Sequence, residues 1–370
     1  MRSPEEGELR ANVPLFQHGF GEGSNEACRS QIESCAGDAP GPSVLAMRFF
    51  RFIWLLLGLG LCQATQVRAQ SRIERFEFSE LHMGMRVDLT LYAPDSSAAH
   101  DAARAAFGEI ARLEDVLSDY RPESEVSRLT DCPLEKPCLL SGELFAVLDT
   151  AIFVARITDG AFDPTVGSLV KLWREARRAG LVPDSQAVSN AMDCVGWDRV
   201  ILERAAKTVA FRCPETTFDF GGIAKGYILD RAADAMAAQG VTRVLVEAGG
   251  DIVARDPPPS AGGWTVDFPF EHEMLRSFGG LVSNIAVSTS GDTEQFTVID
   301  GTRYSHIVDP RTGNTSTGRQ TVVVISASGM IADALATATS VMNENTSLEL
   351  HEFFPNATIV VGQTEREYLY

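Results

Sequence analysis

A short apolar segment near the N-terminus divides the chain into parts that cannot share one fold. It carries Arg48 and Arg51 and continues as an unbroken apolar run from Phe52 to Cys62. These eleven residues are too few to cross about 30 Å of hydrocarbon as a helix. A polar stretch then ends in Val67-Arg68-Ala69, the small-x-Ala pattern typical of a secretory cleavage site. Residues 47–69 are therefore predicted to be a signal peptide rather than a buried core helix.

The residues before this segment show no apolar period. Residues 1–46 are polar and rich in Gly, Ser, Pro and Glu, which is typical of a disordered extension or of an upstream start that is not used. One exported domain is therefore predicted over residues 70–370. Lipid attachment at Cys62 stays open as a variant, but the preceding Leu61 is bulkier than such sites usually accept. Soluble export is the favoured interpretation.

The net charge of the chain limits the classes of partner that it is expected to bind. The formal net charge is −18, from 32 Lys and Arg against 50 Asp and Glu. The sequence contains no basic run, so binding to nucleic acid through phosphate contacts is not expected. A small phosphate-bearing ligand is compatible with this charge, because it needs only one local site or a bound cation.

Four of the seven cysteines lie in the predicted mature domain. An even number in an exported chain permits two disulfides. Cys132 and Cys138 form the natural local pair, and Cys194 with Cys213 would close a longer loop. Zinc binding is the weaker alternative, since no C-x-x-C spacing is present.

Helix and strand patterns follow one another irregularly along the mature chain. Apolar spacings of three and four, with Ser and Gly at the ends, predict helices over Ser97–Leu117, after Ser141, over Gly167–Arg178, up to Gln239, over Met330–Met342 and near Leu348–Phe353. Strands are predicted within Ile73–Tyr92, Val200–Phe211, Thr217–Phe220, Thr242–Val246, Trp264–Ile299, Thr321–Ser326 and Thr358–Val361. This mixture, with its hairpins, predicts an α+β (mixed α/β) architecture rather than a doubly wound parallel sheet.

Glycines mark the connection between the predicted strand at Thr217–Phe220 and the helix that follows it. The segment Asp219–Gly226 reads Asp-Phe-Gly-Gly-Ile-Ala-Lys-Gly. Backbone N–H groups and the positive end of the helix would meet an anion there, with Lys225 near by. A tight turn with a surface lysine explains the same residues equally well. A Walker loop is excluded, because Tyr227 stands where that loop needs Lys and then Ser or Thr.

Two further segments carry side chains that could bind a metal ion or take part in a reaction. Asp333 and Thr337 lie four apart on a predicted helix, so both oxygens project from one face. Together with backbone carbonyl and phosphate oxygens they form a hard-oxygen set suited to Mg²⁺, although a polar pair lining an Ala-rich helix has the same pattern. The loop Tyr304–Gly313 places His306, an Asp and an Arg around a Pro/Gly turn, as functional loops often do. A solvated hairpin would look similar.

Six polar, glycine-marked segments occur in an order that is specific as a set. They are Gly160–Gly167, Asp219–Tyr227, Ala248–Ile252, Ser288–Asp292, His306–Gly313 and Ala332–Thr337. In this order they resemble the FAD:protein FMN transferases (ApbE family) over about residues 80 to 362. Two positions depart from the family pattern: Thr293 stands where an aromatic residue is common, and Arg174 follows Trp173 where Gly-Phe is usual.

The resemblance implies an ApbE-type bilobal fold with FAD bound between the lobes. It implies that Mg²⁺ is held by Asp333, Thr337 and the backbone oxygen of Gly222. His306 is assigned as the catalytic residue for proton transfer, because attack on a diphosphate needs an activated hydroxyl. The residues that match the family's FAD contacts are Met83, Tyr120, Ala161, Phe162, Asp163, Asp219, Lys225 and His306.

The reaction implied by the resemblance moves FMN from FAD onto a threonine hydroxyl of a target flavoprotein and releases AMP. The expected acceptors are subunits of membrane redox complexes, and the expected location is the periplasm, with attachment to the inner membrane as an open variant. Two alternatives remain at this point: an FAD pyrophosphatase that gives free FMN and AMP, and a non-catalytic exported flavin-binding protein. The second is disfavoured by Asp333, Thr337 and His306, since a pure binder needs no metal at the diphosphate.

Overall fold

The computed structural model of the protein describes four stretches of the chain. They are residues 73–291, 296–315, 320–342 and 344–363. Their strands are β1 (Glu74–His82), β2 (Met85–Ala93), β3 (Cys138–Leu139), β4 (Val200–Glu203), β5 (Thr208–Phe211), β6 (Val244–Ala248), β7 (Asp251–Ala254), β8 (Trp264–Thr265), β9 (Leu281–Val282), β10 (Ile285–Gly291), β11 (Phe296–Ile299), β12 (Thr302–Ser305), β13 (Gln320–Ser326) and β14 (Thr358–Gln363). Their α-helices are α1 (Ser96–Leu117), α2 (Gly142–Ile157), α3 (Gly167–Ala179), α4 (Ser185–Met192), α5 (Ala224–Ala238), α6 (Glu273–Ser277), α7 (Gly329–Thr339) and α8 (Glu344–Phe353).

Seven strands form the central sheet, in the order β1-β2-β6-β7-β10-β13-β14. Every neighbouring pair in it is antiparallel. Strands β3, β5 and β4 form a smaller antiparallel sheet. Antiparallel pairing does not require the crossover helices of a doubly wound sheet. The predicted α+β architecture is therefore confirmed.

Apolar residues cover both faces of the central sheet. On one face, strand residues such as Leu89 pack with Leu229 of α5 and Leu335 of α7 in the main core. On the other face, a smaller core gathers around Trp264. Because successive strand residues point to opposite faces, a strand buried on both sides is apolar throughout, as Val322–Ile325 is.

Helix ends follow features that are visible in the sequence. Asp95 caps α1 by accepting a hydrogen bond from the Ala98 N–H (2.9 Å). The Ser141 hydroxyl accepts from the Leu144 N–H (3.1 Å) at the start of α2. Gly180 ends α3 with a φ of 66°. Such caps satisfy the terminal backbone groups of a helix, and they confirm the predicted limits of these three helices to within a residue.

Some predicted elements differ from the structure. The strand predicted at Thr217–Phe220 is wrong, because this segment forms only an isolated bridge to Val166 and the Asp219 N–H donates to the Pro164 carbonyl (2.9 Å). The strand predicted at Thr242–Val246 begins two residues later, as β6. Helix α4 is not among the predicted elements. It is short, and Val188, Ala191 and Met192 on one side of it are only partly buried against the cluster around Trp173.

Both predicted disulfides are present. Cys132 is bonded to Cys138 and Cys194 to Cys213, with Cα–Cα distances of 6.2 and 5.6 Å. Each links segments beside the small sheet of β3, β4 and β5.

Several predictions fall outside the described residues. They concern the extension 1–46, the signal peptide 47–69 with its Cys62, the start of the mature chain, and Asp292 and Thr293. Within the described residues, no helix has the length and apolar character needed to cross a membrane.

Candidate active site

One large cavity brings together the residues singled out in the sequence. Its volume is about 860 Å³, near the upper end of the roughly 300–1,000 Å³ range of small-molecule sites. The β1–β2 turn, α3, the start of α5, the loop after β12 and α7 all contribute to its wall. The predicted residues that line it are Met83, Tyr120, Ala161, Phe162, Asp163, Asp219, Gly222, Lys225, His306, Asp333 and Thr337.

Lys225 lines this wall and lies between two buried carboxylates, Asp251 and Asp333. Its Nζ donates a short hydrogen bond to Asp251 Oδ2 and lies 3.5 Å from Asp333 Oδ1. The Ser288 hydroxyl donates to Asp251 Oδ1 (2.5 Å), and the Gly226 N–H donates to Asp333 Oδ2 (3.1 Å). Asp251 and Asp333 are only 2% and 3% exposed. One lysine is therefore paired with two carboxylates that are almost fully shielded from water.

The charges of this cluster do not balance. Burial raises the pKa of Asp333 to about 7, Lys225 opposes this rise, and the Asp251 carboxylate adds to it. Burial by itself would lower the pKa of Lys225, but the two carboxylates hold it above its ordinary value. The lysine is therefore held in its charged form, whereas Asp333 gives up its proton less readily than an ordinary carboxyl group. The cluster can therefore accept one more positive charge.

Glycines bring the start of α5 against α7. A Cβ on Gly226 would overlap the Gly329 carbonyl oxygen, and a Cβ on Gly222 would lie 2.7 Å from Thr337 Oγ1. Thr337 lies one turn after Asp333 on α7. The three predicted metal-binding residues thus lie on adjoining elements. No group of three or more His, Cys, Asp or Glu forms a metal site among the described residues; the predicted set combines a carboxylate, a hydroxyl and a carbonyl.

The connection into α5 differs in one respect from the anion site predicted there. The Gly221 N–H donates to Asp219 Oδ1 (2.7 Å), as the Gly226 N–H donates to Asp333. Two of the N–H groups expected to face a ligand are therefore occupied by carboxylates. Lys225 remains as the positively charged group that this segment presents to the cavity.

The β1–β2 turn presents Met83 to the cavity in a strained conformation. Met83 and Gly84 both have positive φ (52° and 72°), as a two-residue type I′ turn requires. For a residue with a side chain, this conformation costs about 1–2 kcal/mol. The buried Glu114 carboxylate accepts a hydrogen bond from the Met83 N–H (2.6 Å) and lies 3.1 Å from His82 Nδ1. Glu114 therefore holds the turn in place.

Tyr120 and Arg174 form a stacked pair in the wall. The Arg174 guanidinium carbon lies 4.0 Å from the centroid of the Tyr120 ring. Arg174 also lies 3.3 Å from Asp119 Oδ2 and 3.6 Å from Asp219 Oδ2. Burial raises the pKa of Asp219 to about 6, and the Asp119 charge adds to this rise. Tyr120 is 69% exposed, so part of its aromatic ring surface is open to a ligand.

The Asp163 carboxylate is engaged within the protein. Its Oδ1 accepts hydrogen bonds from the Thr165 N–H (2.8 Å) and hydroxyl (2.6 Å), and its Oδ2 accepts from the Trp197 N–H (2.8 Å). Ala161 and Phe162 beside it are also buried. Asp163 therefore shapes this part of the wall, and its carboxylate has little capacity left for a ligand.

His306 lies in the loop that follows β12. The fully buried Ser305 accepts a hydrogen bond through its hydroxyl from the Ile307 N–H (3.1 Å), which fixes the backbone on both sides of His306. At the other end of the loop, Trp173 Nε1 donates to the Gly313 carbonyl (2.8 Å). His306 therefore reaches the cavity from a loop that is anchored at both ends.

A mixed fold of this kind occurs among solved flavin transferases. The flavin transferase ApbE from Vibrio cholerae matches with a TM-score of 0.66 and 29% identity, over 78% of this chain and 93% of that one. The ApbE protein of Thermotoga maritima matches with a TM-score of 0.67 and 28% identity, over 79% and 97% of the two chains. The fold therefore defines an ApbE-type α+β protein.

Sequence comparison identifies the family. The ApbE family model matches residues 83–360, so the chain belongs to the ApbE family. A relative from Vibrio cholerae named FAD:protein FMN transferase is 31% identical over 258 residues, which are 68% of this chain and 77% of the relative. One of the same name from Treponema pallidum is 30% identical over 320 residues, 82% of this chain and 87% of the relative. The resemblance seen in the six segments is confirmed.

Two polar residues of the wall, Arg174 and Glu114, and Asp251 behind Lys225 are missed by reasoning from the sequence. Asp251 follows a Gly-Gly turn, a visible feature that does not reveal its contact with Lys225. Arg174 is noted only as a departure from the family pattern. Glu114 lies on the buried side of α1, where no motif marks it.

Proposed function

We propose that the protein transfers FMN from FAD to an acceptor protein and releases AMP. The observation that carries this proposal is the convergence of family-matched residues, from Met83 to Thr337, on one cavity. The relatives named FAD:protein FMN transferase support it. In the reaction an acceptor threonine oxygen bonds to the FMN phosphorus, the bond from that phosphorus to the AMP oxygen breaks, and the threonine proton is given up.

Mg²⁺ fits the donor set of this cavity. The Asp333 carboxylate, the Thr337 hydroxyl and the Gly222 carbonyl are hard oxygen donors of the kind that Mg²⁺ prefers. The cluster around Lys225 has one more carboxylate than ammonium group, which favours an added cation. Bound there, the ion would neutralise charge on the diphosphate oxygens.

Lys225 and His306 have distinct roles in this proposal. Lys225, kept charged by its carboxylate neighbours, offers a fixed positive charge to the diphosphate. His306 faces the same cavity and takes the proton from the acceptor hydroxyl. Met83, Tyr120 and the segment Ala161–Asp163 hold the rest of FAD along the wall.

We also propose that the protein acts in the periplasm on flavoprotein subunits of membrane redox complexes. The signal-peptide pattern over residues 47–69 supports export. So do the two disulfides, because such bonds persist in oxidising compartments. N-terminal sequencing of the protein from its native host should find a start near Gln70. An intact 1–46 segment on exported protein would contradict this location.

The transfer itself is tested by following AMP and covalent flavin together. A positioned acceptor hydroxyl can remove several kcal/mol of barrier, within the roughly 7–11 kcal/mol available from good orientation. We therefore expect slow AMP release from FAD alone and much faster release with a threonine-containing acceptor, with one covalent flavin per added AMP. Equal AMP release without acceptor, with all flavin free, would identify a pyrophosphatase instead.

The metal role is tested at Asp333. Asp333→Asn removes the only carboxylate of the proposed Mg²⁺ set, and AMP release should fall about a hundredfold or more, as for loss of a key charge-stabilising group. The matched control is Asp101→Asn, an exposed position on α1 that should keep full activity. Circular dichroism should show both variants folded. Full activity of Asp333→Asn, or of the wild type in excess chelator, would place the metal elsewhere or remove it from the reaction.

A further inference from the structure

A second, open groove lies beside the main cavity. Its volume is about 350 Å³, and it is lined by Arg174, Arg177 and Arg178 of α3 and by Phe296 and Thr297 of β11. Arg174 and Arg177 also line the main cavity. A chain that lies in the groove would therefore pass directly beside the place where FAD is proposed to react.

The charge of this groove is opposite to that of the protein as a whole. The sequence has a net charge of −18, yet the described residues that line the groove include three arginines and no carboxylate. Arg174 is paired with Asp119 and Asp219 on its cavity side. In the part of the chain that the structure describes, neither Arg177 nor Arg178 forms an ion pair, and burial together with the Arg174 charge lowers the pKa of Arg177. An anionic partner would relieve this repulsion.

The other side of the groove is apolar and exposed. Phe296 is 39% exposed, and Val298, on the same face of β11, is 57% exposed. The Arg303 guanidinium carbon lies 3.5 Å from the Phe296 ring centroid, a cation–π contact that holds the ring in place. Exposed aromatic residues next to arginines are the composition enriched in protein interfaces.

We propose that this groove docks the acceptor protein through an acidic segment next to its reacting threonine. The inference rests on the proposed transfer and adds the surface and the charge of the partner. Carboxylates of the segment pair with Arg177 and Arg178, and an apolar side chain packs on Phe296. Because the groove and the cavity share Arg174 and Arg177, docking places the threonine hydroxyl at the mouth of the cavity.

The test compares two synthetic peptides. One carries glutamates beside its single threonine, and in the other glutamines replace them. With the wild type, FMN transfer should be faster to the glutamate peptide, and the preference should shrink at high salt, which screens exposed charges. Arg178→Glu should raise the KM for the glutamate peptide roughly fivefold or more, while Arg178→Lys keeps most of the binding. The matched control is Arg104→Glu, an exposed arginine on α1 that lies in neither cavity.

Arg178 does not line the main cavity, so AMP release from FAD without acceptor and the KM for FAD should be unchanged in Arg178→Glu. Equal transfer to both peptides, or equal KM values for Arg178→Glu and Arg104→Glu, would overturn the docking proposal while leaving the transfer reaction intact. A changed KM for FAD or a lower melting temperature in Arg178→Glu would assign this arginine to a contact within the chain and also overturn the proposal. AMP release with covalent flavin on neither peptide would refute the transfer itself.

Discussion

Because α5 and α7 are in close contact at Gly226, a single methyl group added there is expected to lower the free energy of unfolding strongly. A Cβ on Gly226 would overlap the Gly329 carbonyl oxygen and lie 2.9 Å from the Met330 nitrogen. These are backbone atoms, so a rotamer change cannot relieve the clash and the helices must separate. Overpacking of this kind costs about 1–3 kcal/mol or more, against a gain of about 1 kcal/mol from the higher helix propensity of Ala. Because the overlap is with backbone atoms, the upper end of this range, about 3 kcal/mol, applies, and we expect Gly226→Ala to lower the free energy of unfolding by about 2 kcal/mol.

Gly108→Ala is the matched control for this change. Gly108 also lies within a helix, α1, but nothing lies within 4 Å of its Cβ position. Its substitution should stabilise the protein by about 0.5–1 kcal/mol. Urea denaturation should show midpoints that move in opposite directions at a constant m value. Equal midpoints for the two variants would refute the argument that backbone contact limits the approach of α5 to α7.

The same substitution should damage the site before it unfolds the protein. The Gly226 N–H donates to Asp333, and Lys225 is its neighbour in the chain. Separation of the two helices therefore moves Lys225 away from Asp333. AMP release should fall strongly at temperatures where circular dichroism shows Gly226→Ala still folded. Normal AMP release in the folded variant would mean that the reaction tolerates a shift of Lys225.

Two other perturbations have outcomes set by the structure. Because burial raises the pKa of Asp219 from 3.8 to about 6, the folded state holds its proton more tightly than the unfolded state, and wild-type stability is lost as pH rises through this range. Asp219→Asn should therefore be more stable by up to about 3 kcal/mol at neutral pH and lose this advantage at about pH 4, as denaturation at both pH values would show. Replacing both cysteines of a disulfide by serine should cost about 2 kcal/mol for Cys132–Cys138 and about 3 kcal/mol for the longer loop of Cys194–Cys213. Thermal denaturation would contradict the loop-length argument if the order were reversed.

Much of the fold could be predicted where a few neighbouring residues decide the structure. The Asp95 and Ser141 caps and Gly180 act within one helical turn, so their helices begin and end as expected. The segment Thr217–Phe220 has the composition of a strand, but its backbone partner is the loop at Pro164. Pairing of that kind depends on tertiary contacts, which local patterns do not contain.

The candidate site, like the fold, could be predicted from the sequence only in part. The family resemblance predicts which residues line the cavity, but not which of them contact one another. Lys225 meets Asp251 and Asp333 across 26 and 108 positions of the chain. The surplus carboxylate that favours a cation is therefore a property of the fold alone. Arg174 is similar, because its position in the sequence shows a departure from the family, whereas its contacts with Tyr120 and Asp219 appear only in three dimensions.

Several features that are unfavourable for folding lie around one cavity. Met83 holds a backbone conformation that costs stability, and Asp219 and Asp333 are buried carboxylates whose pKa values are raised. Each of these features is unfavourable for folding, and such exceptions are expected where a site serves a ligand. A ligand that binds only the folded state offsets these costs by mass action. The same groups that make the empty cavity costly are thus the ones expected to hold a cation and a diphosphate.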